Sequence, residues 1–135
     1  MATYALLTDA IAANGAPTLV THGVELRTGL APPEGDHMFL LRSTAGSGTM
    51  TVAVRLWGYY STLAAWSPIG TGPITTRGYV NAGVTLGETE ADKIAFSEVL
   101  KENVWGLRAC DRIYAEITAI GGAASTAVSA VMVTV

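Results

Sequence analysis

Along residues 112–120 polar and apolar side chains alternate. Arg112, Tyr114, Glu116 and Thr118 fall on one side, and Ile113, Ala115, Ile117 and Ala119 on the other. A period of two marks a strand with one buried face. Gly121-Gly122 breaks the run, and a Val-rich stretch follows from Ser125 to Val135. The two stretches predict a C-terminal hairpin.

The same reading works upstream. Val24–Thr28 alternates. Leu30–Gly35 holds two prolines, which cannot donate to a strand ladder. His37–Ser43 is apolar on both sides, as a central strand would be. Thr49–Trp57 sends Val52, Val54 and Leu56 to one side and Trp57 to the other. Thr44–Gly48 lies between these last two strands, which predicts a second hairpin.

Other segments are less patterned. A turn is expected near 58–61, a short strand at Thr62–Trp66 and a break at Pro68. Residues 73–87 hold one short strand or none. In Lys93–Asn103 the spacing of Phe96, Val99 and Leu100 suits a helix, while Ile94, Phe96 and Glu98 suit one side of a strand. The absence of a capping residue favours strand or irregular structure. Tyr4–Thr8 reads as a short strand and Asp9–Ala13 as a helical turn.

Seven or eight short strands with regular turn signals predict an all-β fold, a single jelly-roll-like antiparallel β-sandwich. Residues 1–20 form an N-terminal arm or edge segment, and residues 21–135 the sandwich domain.

Composition adds a constraint on function. Only 14% of the 135 residues are charged, against about 25% in ordinary soluble domains. No apolar run reaches the roughly 18 residues of a membrane span, and no basic segment leads into an apolar one at the N-terminus. A charge-poor exterior of this kind is expected to be covered by other subunits. The net charge is −3 and the six Arg are dispersed. That disfavours nucleic acid, whose phosphates need clustered cations, and an anionic membrane surface. The lone Cys110 cannot form an internal disulfide and reads as structural.

Candidate chemistry is thin. His22 and His37 have no neighbouring His or Cys at a metal-ligand spacing. Gly46-Ser-Gly48 is too short for a nucleophile elbow. Glu88, Glu90 and Asp92 form an acidic loop without a recognisable cation-binding spacing. The expectation is therefore no catalytic residue, no metal and no cofactor. Trp57, Tyr59, Tyr60 and Trp66 fall within ten residues. With Tyr114 they are the candidate interface, because rings on an outward face stack on partners.

Val54-Arg-Leu-Trp-Gly-Tyr-Tyr60, followed by Trp66-Ser-Pro-Ile-Gly70, resembles small β-sandwich virion proteins of tailed bacteriophages. Asp111-Arg-Ile-Tyr-Ala-Glu-Ile-Thr-Ala-Ile-Gly-Gly122 is similar to the penultimate strand of that class. The resemblance implies a non-enzymatic capsid decoration (cement) protein. Such a protein assembles in the host cytoplasm as a homotrimer on a major capsid protein or other virion protein and ends in the virion. A head–tail junction or tail component of the same particle fits the resemblance equally. From the residues alone, a glycan- or receptor-binding β-sandwich module is the alternative.

Overall fold

A computed structural model describes residues 3–26, 36–43, 47–86, 94–124 and 127–134. Among the described residues nine strands carry the fold: β1 (Thr3–Ala10), β2 (Val24–Glu25), β3 (His37–Ser43), β4 (Ser47–Tyr60), β5 (Ala65–Pro68), β6 (Tyr79–Leu86), β7 (Ile94–Leu100), β8 (Arg112–Ala124) and β9 (Val128–Thr134). A four-residue helix, α1 (Glu102–Trp105), and a 3-10 turn at Leu107–Ala109 join β7 to β8. No described helix is long and apolar enough to cross a membrane.

The strands form two antiparallel sheets. One runs β1-β9-β3-β7, the other β2-β8-β4-β5, with β6 also paired to β4. β8 pairs along one edge of β4. β6 takes the first half of the other edge (Met50–Arg55) and β5 the second (Trp57–Tyr60). Consecutive strands change sheet at every connection except those joining β4, β5 and β6. With β5 set aside as an excursion, this is the alternation of an eight-stranded jelly roll.

That alternation corrects both predicted hairpins. β8 and β9 lie in different sheets, and so do β3 and β4. The reason is physical. A period of two says that a strand has one buried face, but not which strand lies beside it. Ile113, Ala115 and Ile117 of β8 meet Val128, Ala130 and Met132 of β9 across the core, and each is at most 1% exposed. The sandwich is as expected; its C-terminal hairpin is replaced by a crossing between layers.

The core lies between the sheets. Phe39, Leu41 and Met132 come from one side, and Val52, Val54, Leu56 and Ile117 from the other. Trp57 lies opposite these residues of β4, as its position predicts. Ala119 does not follow its predicted parity. Ala53 pairs with Ala119, yet Val54 pairs with Ile117. Thr118 is thus an extra residue, a bulge that flips the next side chain to the other face. Ala119 is exposed, and Ile120 packs on the core instead. The Thr118 hydroxyl donates to the Ala53 carbonyl at 3.3 Å.

Three boundaries move. β4 continues through Gly58 to Tyr60, so the turn falls at 61–64 and β5 starts at Ala65. Gly58 can stay in a strand because Cys110 occupies the place a side chain would take, with Sγ 3.1 Å from an added Cβ. Residues 73–87 hold a full eight-residue strand, β6. Asp9 ends β1 with a positive φ of 47° rather than opening a helical turn. The strand reading of the Lys93–Asn103 segment holds for β7, and Glu102 onwards turns into α1. β1 is one of the two edge strands of the four-stranded sheet. The acidic Glu88–Asp92 loop and Thr44–Gly46 lie outside the described residues, as do Arg27 and Thr28.

Candidate interaction surface

The outer face of the five-stranded sheet is built in rungs. Strand register aligns Arg112, Tyr59 and Trp66; then Tyr114, Trp57 and Pro68; then Glu116, Arg55 and Tyr79. Four of the five aromatic residues singled out in the sequence therefore share one face. Tyr59 and Trp66 have ring centroids 5.4 Å apart, and Trp66 and Tyr114 6.2 Å. Tyr60 is the exception. Strand alternation turns it inward against the core, and burial pushes its phenol pKa up, with Cys110 adding to the shift.

Trp57 is held from two sides. Its indole N–H donates to Glu116 Oε1 at 2.8 Å. The Arg55 guanidinium lies 5.0 Å from its ring and 5.3 Å from the Tyr79 ring, within cation–π range. Arg55 also donates to the carbonyls of Arg77 and Ile74. Tyr114 is partly desolvated, which raises its pKa, and neighbouring Glu116 raises it further.

No periodic pattern signals that the connection between β1 and β2, residues 11–23, folds back over this face as a strap. The Trp66 indole N–H donates to Leu19 O at 3.0 Å, and the Tyr114 hydroxyl to Gly15 O at 3.0 Å. Arg112 donates to the carbonyls of His22 and Gly23, each at 3.0 Å. The His22 ring stacks on Tyr114, and its Nδ1 accepts the backbone N–H groups of Thr18 and Leu19. Asn14 acts as a one-residue strand partner. Its side-chain N–H donates to Ala115 O, and its oxygen accepts the Ile117 N–H at 2.8 Å. Side-chain amides at fixed spacing to a strand edge leave no periodic signal, so pattern reading cannot find them.

The strap carries exposed apolar residues of its own. Leu19 is 58% exposed and Val20 54%, next to Trp66, while Leu63 at the β4–β5 turn is 77% exposed. The result is an aromatic floor with an aliphatic rim.

The Nδ1 of His22 is occupied on the outer strap, and His37 is fully buried in the other sheet, so the two histidines do not meet. Among the described residues, no three His, Cys, Asp or Glu side chains converge as metal ligands would. Cys110 is buried and donates to Leu107 O.

No protein-family model, curated protein or solved structure matches this chain. The class rests on strand order alone: an all-β, jelly-roll-like sandwich.

Proposed function

We propose that this chain is a non-enzymatic structural protein that works by assembling with copies of itself and with a larger scaffold. The scaffold best suited to it is a virus shell, on which it acts as a decoration protein. The observation that carries this reading is the exposed apolar surface of Leu19 and Val20, on the strap that Trp66 bonds, and of Leu63 at the β4–β5 turn, on a chain poor in charge. Patches of this kind mark interfaces, and Trp, Tyr and Arg are the residues most often found at their energetic centres. Jelly rolls recur in viral shells, although lectins share them, so the fold is compatible with the reading and does not carry it.

The test is the mass of the purified chain by light scattering across a wide concentration range. A mass that rises above one copy is expected. A single copy persisting at millimolar concentration refutes assembly as the mode of action.

One feature favours a second reading, glycan or receptor binding. A cleft of about 140 Å³ opens between the β5–β6 loop and α1, lined among others by Thr71, Thr76, Arg77, Tyr79 and Trp105. A ring, a guanidinium and hydroxyls are the groups that sugars use. Specific retention on a glycan array, abolished by Trp105→Ala, would support this reading over the first.

A further inference from the structure

The two outer faces of the sandwich differ in kind. The five-stranded sheet carries two arginines and a glutamate among its rings and is crossed by the strap. On the four-stranded sheet, register aligns Thr3, Val133, Met38 and Val99 in one rung, and Ala5, Val131, Leu40 and Ser97 in the next. Their neighbours on the inner face, Phe39, Leu41, Ala130 and Met132, are at most 1% exposed. β3 and β9 are thus apolar on both sides. Sheets that face water on one side alternate apolar and polar, whereas strands covered on both sides read as continuous apolar runs. Here the second side stays partly open. Val99 is 42% exposed, and a depression of about 240 Å³ lies between Leu40, Arg42, Ser129 and Val131.

We propose that a second copy of this chain docks on this face, sheet against sheet. The inference rests on the assembly reading and names its homotypic surface. Charge selects the occupant. Among the described residues that register aligns with Leu40, Val131 and Met38, Arg42 at one end is the charged one, and the Asp36–Lys101 pair flanks the other end with its charges already matched, so a charged partner finds little to pair with along the middle of the face. An identical face suits it. A two-fold axis lying across the strands sets the two Arg42 at opposite ends and brings Leu40 and Val131 of each copy onto the other. Two such faces pack about 10 Å apart with strands roughly 30° off parallel, and the contact is isologous.

Size sets the strength. Four strands about 4.8 Å apart and about seven residues long at ~3.4 Å each make a face on the order of 450 Å². A standard stable interface takes about 800 Å² per partner. The contact is therefore reversible and concentration-dependent, of the sort that repetition over a lattice strengthens.

Sedimentation velocity of the full chain from micromolar to millimolar concentration tests this, with Leu40→Lys, Val99→Lys and Leu63→Glu as variants. The expected result is wild-type association that Leu40→Lys and Val99→Lys each weaken about 10-fold or more. Thermal melts establish that each variant folds. Val99, exposed on an edge strand, keeps the test decisive if Leu40→Lys does not fold. Association that survives Val99→Lys but is lost in Leu63→Glu overturns this inference and leaves the assembly reading standing. No association of the wild type at any concentration overturns both.

Discussion

Gly23 shows how one residue governs the aromatic face. Its φ is 76°, and an added Cβ would sit 2.3 Å from Ile113 O and 3.1 Å from Trp66 Cη2. The backbone of β8 and the Trp66 ring both close on this point because nothing projects from it. Gly23→Ala combines a strained backbone with a clash against main chain. We expect a loss of at least ~2 kcal/mol in a urea melt, together with a red shift of tryptophan emission as Trp66 is displaced. A variant of wild-type stability would show that Trp66 does not depend on this close approach. Glu98 makes a different prediction. Register places it opposite Phe39 on the inner face, and its Oε2 is buried without a hydrogen-bond partner among the described residues. Desolvation raises its pKa above the ordinary 4.5. A carboxyl raised on folding adds stability that is complete below its unfolded value and is lost as pH rises through the folded one. Glu98→Gln should therefore raise the Tm at pH 7 by ~1–3 °C and lose that advantage near pH 4. A lower Tm at pH 7 would contradict the desolvation argument.

At the scale of elements, the strap and the bulge do what regular strands cannot. Among the described residues β2 pairs with β8 at Val24 and Glu25, so the edge of β8 beyond Ile113 would present open backbone groups. Asn14 closes part of that edge with two hydrogen bonds. Asn14→Ala leaves an amide and a carbonyl without their partners. It should cost about 1–3 kcal/mol and speed hydrogen exchange at the Ile117 amide, which native-state exchange would detect. Unchanged protection at Ile117 would mean that the strap does not seal this edge. Trp57 is less suited than the rim to report on assembly. Its bond to Glu116 and its stacking under Arg55 tie it into the sheet, so Trp57→Ala disturbs folding as well. Leu63 is free of such ties at its turn. At the other end of the sandwich, Asp36 accepts the Glu102 N–H and pairs with Lys101 at 3.0 Å. The Glu102 hydrogen bond, then Lys101, lowers its pKa. This link between β3 and α1 holds above the ordinary carboxylate range and is released as pH falls through the lowered value.

On the proposed reading, the two faces of the molecule take separate parts in assembly. The five-stranded sheet presents an aromatic floor with an aliphatic rim, suited to a shaped partner. The four-stranded sheet presents a flat apolar surface, suited to its own copy. If both are used, association has two separable parts. Leu63→Glu combined with Leu19→Glu should abolish attachment to a scaffold while leaving the concentration-dependent mass of the free chain unchanged. Loss of self-association in that double variant would merge the two surfaces into one.

Local pattern was enough to establish the class. Period-two alternation in β4 and β8 placed Val52, Val54, Leu56, Ile113, Ala115 and Ile117 inside, because a strand's geometry carries that period whatever its neighbours. It put Trp57 and Tyr114 on outward faces, and the low charge already argued for covered surface. What alternation cannot encode is pairing. A buried stripe is satisfied equally by a strand beside it or a sheet across the core, so both expected hairpins proved to be crossings between layers. Only the folded chain could reveal the Thr118 bulge, the turn of Tyr60 away from the other rings, and the strap over Trp66. Each depends on contacts between residues tens of positions apart, where register, close approach and single hydrogen bonds decide and composition is silent.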